Sequence, residues 1–138
     1  MSIKESLKKE KDIPVKSSKQ ASFGDLEGID AQGALERLKV GTKTYAMSLE
    51  AFFEDYTDII DKIKDALNRK NVPEVRQLLH TLSGAAGNIG AVRVEKAASM
   101  IGTAIKEGQS NLTPLIGDLE IALNTALKSV NSVMSKIL

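Results

Sequence analysis

Residues 77–90 read Gln-Leu-Leu-His-Thr-Leu-Ser-Gly-Ala-Ala-Gly-Asn-Ile-Gly, and they hold the only histidine of the chain. An imidazole ordinarily titrates near pH ~6.5, so in cellular conditions it is largely neutral and offers a nucleophilic ring nitrogen. The surroundings of His80 are unusual for a helix. Ser83 stands at i+3, Gly84 at i+4 and Gly87 at i+7, positions whose side chains normally crowd a helical neighbour. Each mid-helix glycine costs about 1 kcal/mol against alanine, a sizeable loss from a total stability of ~5–15 kcal/mol. Either another helix packs close there, or an outside partner must come close to the imidazole.

On a helical wheel Val75, Leu79, Leu82, Ala86 and Ile89 form one apolar stripe, widened by Leu78 and Ala85. Pro73, Arg76, Gln77, His80, Ser83, Gly84 and Gly87 fall on the other side. His80 is therefore expected on a solvent-facing strip, and Gly84 is read as room for an outside partner. Gly87 answers to either explanation. Gly90 falls at the helix end, where a glycine serves as a C-terminal cap.

The strip lacks the parts of a self-sufficient enzyme. No carboxylate lies at i±3 or i±4 from His80, and Glu74 is six residues away on another side. There is no Cys and no second His, so no cysteine or His-rich metal site exists. No nucleotide-binding glycine loop occurs. A nucleophile without acid, base or metal depends on a partner for the rest of the chemistry.

The chain of 138 residues is long enough for one domain with its own core. Its net charge is +1, unevenly spread. Residues 1–20 carry six Lys against Glu5, Glu10 and Asp12, and the remainder is slightly acidic, so the body is not a basic nucleic-acid surface. Residues 1–22 read as a disordered tail or linker, and 23–138 as a helical domain beginning around Phe23. No signal peptide is seen, and no apolar run approaches the ~20 residues of a membrane span. A cytoplasmic location is expected.

The periodicity predicts helices throughout the domain. Asp30 caps a short helix that carries Ala34, Leu35 and Leu38 and ends at Gly41. A long helix opens at Thr42 or Thr44, with apolar positions from Leu49 through Phe52, Phe53, Tyr56, Ile59, Ile60 and Ile63 to Leu67 and an acidic opposite face. Asn71 caps the next, with Pro73 in its first turn, over about 72–89. A small-residue helix follows over about 92–106, closed by Gly108. The last starts after Asn111 or Thr113, with Pro114 in its first turn. The expected fold is all-α: an antiparallel four-helix bundle with a short N-terminal lead-in helix.

The run from His80 through Leu82 and Gly84 to Gly90 resembles the signature of histidine-containing phosphotransfer (HPt) domains, H-x-L-K-G followed by small residues and a later Gly. Residues 26–38 resemble the family's lead-in helix, and the Phe52–Phe53 pair fits its second helix. The likeness covers roughly residues 24–135. It implies a phosphocarrier in a multistep His–Asp phosphorelay. His80 would accept a phosphoryl group from the aspartate of one response-regulator receiver domain and pass it to another. Arg76, Gln77, Ser83, Gly84 and Gly87 would contact the receiver or the phosphoryl group. The expected partners are receiver domains and a sensor (hybrid) histidine kinase. No cofactor of its own is implied, because Mg²⁺ sits on the partner receiver. A monomer is expected, with no nucleic acid and no membrane contact of its own. The chain fits a stand-alone protein, and equally the C-terminal domain of a membrane-anchored hybrid kinase.

The chain departs from the family pattern at Ser83, where the family usually has Lys. A Lys there would set a cation near the phosphoryl group, whereas Ser donates one neutral hydrogen bond. Arg76 and Gln77 are substitutes on the same helix; Lys43, Arg93 and Lys96 are cations the fold would have to bring near. Ser83 leaves a second reading open, a helical adaptor that binds receiver or kinase domains without phosphotransfer. Ile29, Leu38 and Tyr45 are the apolar candidates for the docking face.

Overall fold

The computed structural model describes residues 26–39 and 41–137. The tail expected over 1–22, and Phe23, lie outside the described residues. Among the described residues six helices follow in order: α1 (Ala31–Leu38), α2 (Thr42–Tyr56), α3 (Ile59–Asn68), α4 (Val72–Ile89), α5 (Val92–Lys106) and α6 (Thr113–Ile137). Among the described residues no strand forms beyond an isolated bridge between Leu26 and Ile29. None of the helices described is long and apolar enough to cross a membrane.

Side chains set the starts of α1 and α4. The carboxylate of Asp30 accepts the Gly33 N–H at 3.0 Å, and the Asn71 amide oxygen accepts the Glu74 N–H at 3.2 Å. Each satisfies one of the orphan donors of a first helical turn. Asn111 accepts from the Thr113 N–H at 3.2 Å where α6 begins. Every helix then contributes to a single core. Leu35, Leu49, Ile63, Leu82, Ile101, Leu119 and Leu123 are all fully buried, and they come from all six helices. Small residues on α4 and α5 (Ala86, Ala98 and Ala104 among the buried) let these two helices pack closely and extensively.

Two boundaries differ from the periodicity reading. The expected long helix breaks at Thr57–Asp58 into α2 and α3. There the Thr57 hydroxyl donates to the Phe53 carbonyl, and Asp58 leaves helical geometry at φ −111°, ψ 14°. A Thr–Asp pair offers the backbone local hydrogen bonds that compete with the helix ladder, yet the apolar stripe continues across the break. The first helix ends not at Gly41 but at Lys39, a non-glycine residue in the left-handed region (φ 55°), while Gly41 is the N-cap of α2.

Residues from α1 and α2 finish the C-terminal end of α4. The last carbonyls of a helix have no partner within it. Here the Asp30 N–H donates to the Gly90 carbonyl at 2.8 Å, the Tyr45 hydroxyl to Ile89 at 2.6 Å, and the Arg37 guanidinium to Gly87 at 2.6 Å. The lead-in helix thereby anchors the helix that bears His80.

This arrangement removes two of the docking-face candidates, Tyr45 and Ile29. Tyr45 is wholly buried and Ile29 nearly so, and Leu38 is half-buried. Alternating apolar exposure cannot be told from core burial until the partner helix is known. The Tyr45 phenol is pushed well above its ordinary value by burial and secondarily by the charge of Asp30. The sign follows directly. A group whose folded pKa is raised stabilises fully below its unfolded value near ~10 and loses that contribution as pH climbs toward the folded value. Tyr45→Phe should cost about 1–3 kcal/mol at pH 7, because the Ile89 carbonyl is left without its donor. The urea midpoint of the Tyr45→Phe chain should also fall less than the parent's between pH 9 and 11.

Candidate functional site

Helix α4 divides as its residues dictate. Val75, Leu79, Leu82, Ala86 and Ile89 are buried, while Arg76, Gln77, His80 and Gly84 are exposed and Ser83 and Gly87 half-buried. The imidazole of His80 has no hydrogen-bond or ion-pair partner among the described residues. It stands at a shallow groove of about 680 Å³ between α4 and α5. Arg76, Gln77 and Ser83 line the groove from α4; Ser99, Gly102, Thr103 and Lys106 line it from α5.

The glycines serve different ends. A Cβ added to Gly84 would meet nothing within 4 Å, so no neighbouring helix requires a glycine there. At Gly87 the same atom would come within 2.8 Å of the Glu95 carboxylate on α5, and the Gly87 carbonyl already accepts from Arg37. Glu95 is exposed and its carboxylate is the far end of a flexible side chain, so packing does not demand a glycine at Gly87, which stands outside the groove lining. Gly90 is left-handed at φ +83°, and its added Cβ would lie 2.3 Å from the Asp30 carbonyl oxygen.

The other named residues sort as follows. Gln77 is tied to Thr81, its amide donating to the Thr81 hydroxyl at 3.3 Å while that hydroxyl donates to the Gln77 carbonyl at 2.9 Å. Glu74 is turned to Arg69 and does not serve His80. Arg93 and Lys96 line a separate groove between α5 and α6, with Met100 and Ile121, and Lys43 does not line the His80 groove. The α5 contribution was not legible from the sequence. Its small residues signalled close packing, but which of them stand beside His80 depends on how α5 lies against α4.

Chemically the site offers an accessible nucleophile, nearby hydroxyl donors and cations, and open space one turn beyond the ring. Among the described residues no group of three or more His, Asp or Glu side chains is placed to hold a metal ion. Filling the space at Gly84 separates stability from contact with a partner. Gly84→Ala should raise stability by up to about 1 kcal/mol, since the site is helical and empty. Gly84→Leu should keep the fold yet slow the phosphoryl transfer that the family resemblance implies on the order of 100-fold, the scale of a displacement of ~1 Å between reacting groups. Chemical denaturation and transfer kinetics on the same samples check both.

No curated protein and no solved structure matches the chain. The family model of the Hpt domain matches residues 47–132, a span that runs from α2 into α6 and takes in His80 and the whole α4–α5 groove. The chain belongs to the Hpt domain family, whose members serve phosphotransfer in His–Asp phosphorelays.

Proposed function

We propose that this protein is a phosphocarrier that takes a phosphoryl group onto His80 from the aspartate of one receiver domain and delivers it to another. The observation that carries the reading is the exposed His80 ring, without a partner among the described residues, with open space at Gly84. A neutral imidazole attacks phosphorus with the lone pair of its unprotonated nitrogen. The P–N bond forms as the bond from phosphorus to the aspartyl oxygen breaks, the aspartate leaves as a carboxylate, and the other ring nitrogen keeps its proton. No base is required of this chain, which fits the lack of a carboxylate partner for His80. Positioning and charge stabilisation carry such a transfer, and Mg²⁺ held by the receiver would supply much of the charge.

The finer architecture belongs to the same proposal. The pair α2–α3, then α4, α5 and α6, would run alternately up and down as an antiparallel four-helix bundle with α1 as lead-in. The short connections at Gly90–Ala91 and 107–112 support it. Residues 1–22 would be a tail or linker. The protein would act as a monomer in the cytoplasm, meeting each receiver through a small, transient interface of less than about 1,200 Å².

The test is chemical. The chain, mixed with a phosphorylated receiver domain and Mg²⁺, should acquire a label that acid removes and alkali leaves in place. Absence of label from a range of receivers, with binding retained, would favour the adaptor reading that Ser83 keeps open.

A further inference from the structure

The groove beside His80 carries one sign of charge. Arg76 lines it from α4, Lys106 from the last turn of α5, and among the described residues no carboxylate lines it. Three other cations are paired, Lys62 to Asp58, Lys64 to Glu120, and Arg69 to Asp65 and Glu74. Neither Arg76 nor Lys106 has a side-chain hydrogen bond or ion pair among the described residues. Between them lies Gly102, where an added Cβ would meet nothing within 4 Å, so the α5 side of the groove is open. Thr103 lines the same wall.

We propose that Lys106 reaches across the α4–α5 groove to the phosphoryl group carried by His80 and, with Arg76, supplies the positive charge that Ser83 cannot. This rests on the phosphocarrier reading above. A bound phosphoryl brings about two negative charges and three acceptor oxygens, and the groove has volume to spare for it. Ser83 and Thr103 contribute neutral O–H donors. Lys106 forms and breaks no covalent bond. It keeps its protons and offsets charge on the phosphoryl oxygens as phosphorus passes from aspartate to imidazole. A cation on the last turn of a helix also interacts favourably with the helix dipole. That role would appear in stability and not in the properties of the phosphoryl group.

The experiment phosphorylates the full chain with phosphoramidate, or with a phosphorylated receiver, and titrates the phosphohistidine resonance by ³¹P NMR. Lys106→Gln, Lys106→Arg and His80→Gln chains are run alongside. The parent should give a resonance that His80→Gln lacks. Lys106→Gln should raise the pKa that the phosphohistidine resonance reports, that of the ring nitrogen beside the phosphoryl dianion, by about half a unit, since loss of a nearby cation favours the protonated ring. It should also lower loading from a phosphorylated receiver about threefold, the same shift read as an equilibrium constant. Lys106→Arg should return both toward the parent. A parent resonance with an unchanged pKa in Lys106→Gln, whatever the thermal midpoint does, overturns the role of Lys106 and leaves the phosphocarrier reading standing. No resonance from either donor removes both.

Discussion

His80→Gln is expected to abolish phosphoryl uptake while leaving the fold and receiver binding in place. The glutamine amide nitrogen is of similar reach, but its lone pair is delocalised into the carbonyl and does not attack phosphorus. The rate of transfer should therefore fall by on the order of 10³-fold or more, as for loss of any covalent nucleophile. Stability should change by less than about 0.5 kcal/mol, because the ring is exposed and makes no hydrogen bond to a described residue. Label transfer and receiver binding, measured on the same preparation, separate the two readings of the chain. A carrier loses relay and keeps binding. An adaptor shows no transfer even in the parent, and the substitution then changes nothing.

The largest effect on stability should come from Gly90→Ala. The backbone there is left-handed at φ +83°, which costs an L-residue about 1–2 kcal/mol. The added Cβ would also lie 2.3 Å from the Asp30 carbonyl oxygen, which is backbone and must be displaced. Moving it disturbs the Asp30–Gly90 hydrogen bond and the cap of α1 together. A further 1–3 kcal/mol is expected for forcing packed groups apart, giving about 2–5 kcal/mol in all. Gly108→Ala is the internal control. Gly108 is equally left-handed at φ +79°, but its added Cβ would meet nothing within 4 Å. It should cost only the conformational part, about 1–2 kcal/mol. The difference between the two urea midpoints, converted to free energy, measures how tightly α1 is held against the end of α4. Equal losses would mean that the contact yields easily.

The same contact shows where local reading stops. In the sequence Gly90 is a helix-ending glycine before a tight turn, and that much is correct. Its other role, letting the start of α1 approach the end of α4, joins residues 60 positions apart. No local pattern encodes it.

Features that depend on neighbours within a few residues are legible in the chain before it folds. The 3.6-residue apolar period fixed the extent of α4 and α5, Asn71 and Asp30 the helix starts, and Gly90 and Gly108 the stops. The exposed strip with His80 and Gly84 followed from the same period, because residues on one side of a helix share its environment. Where two local preferences competed, at Thr57–Asp58 and at Lys39, the sequence left the boundary open and the folded chain decided it. Tertiary structure alone decided which helix stands beside the strip. It buried Tyr45 and Ile29, turned Gly87 toward Glu95, sent Arg93 and Lys96 to another groove, and set Ser99, Gly102, Thr103 and Lys106 across from His80. A helix periodicity states which faces are apolar. Which faces meet is settled by how well their side chains fill the space between them, and that is a property of the whole core.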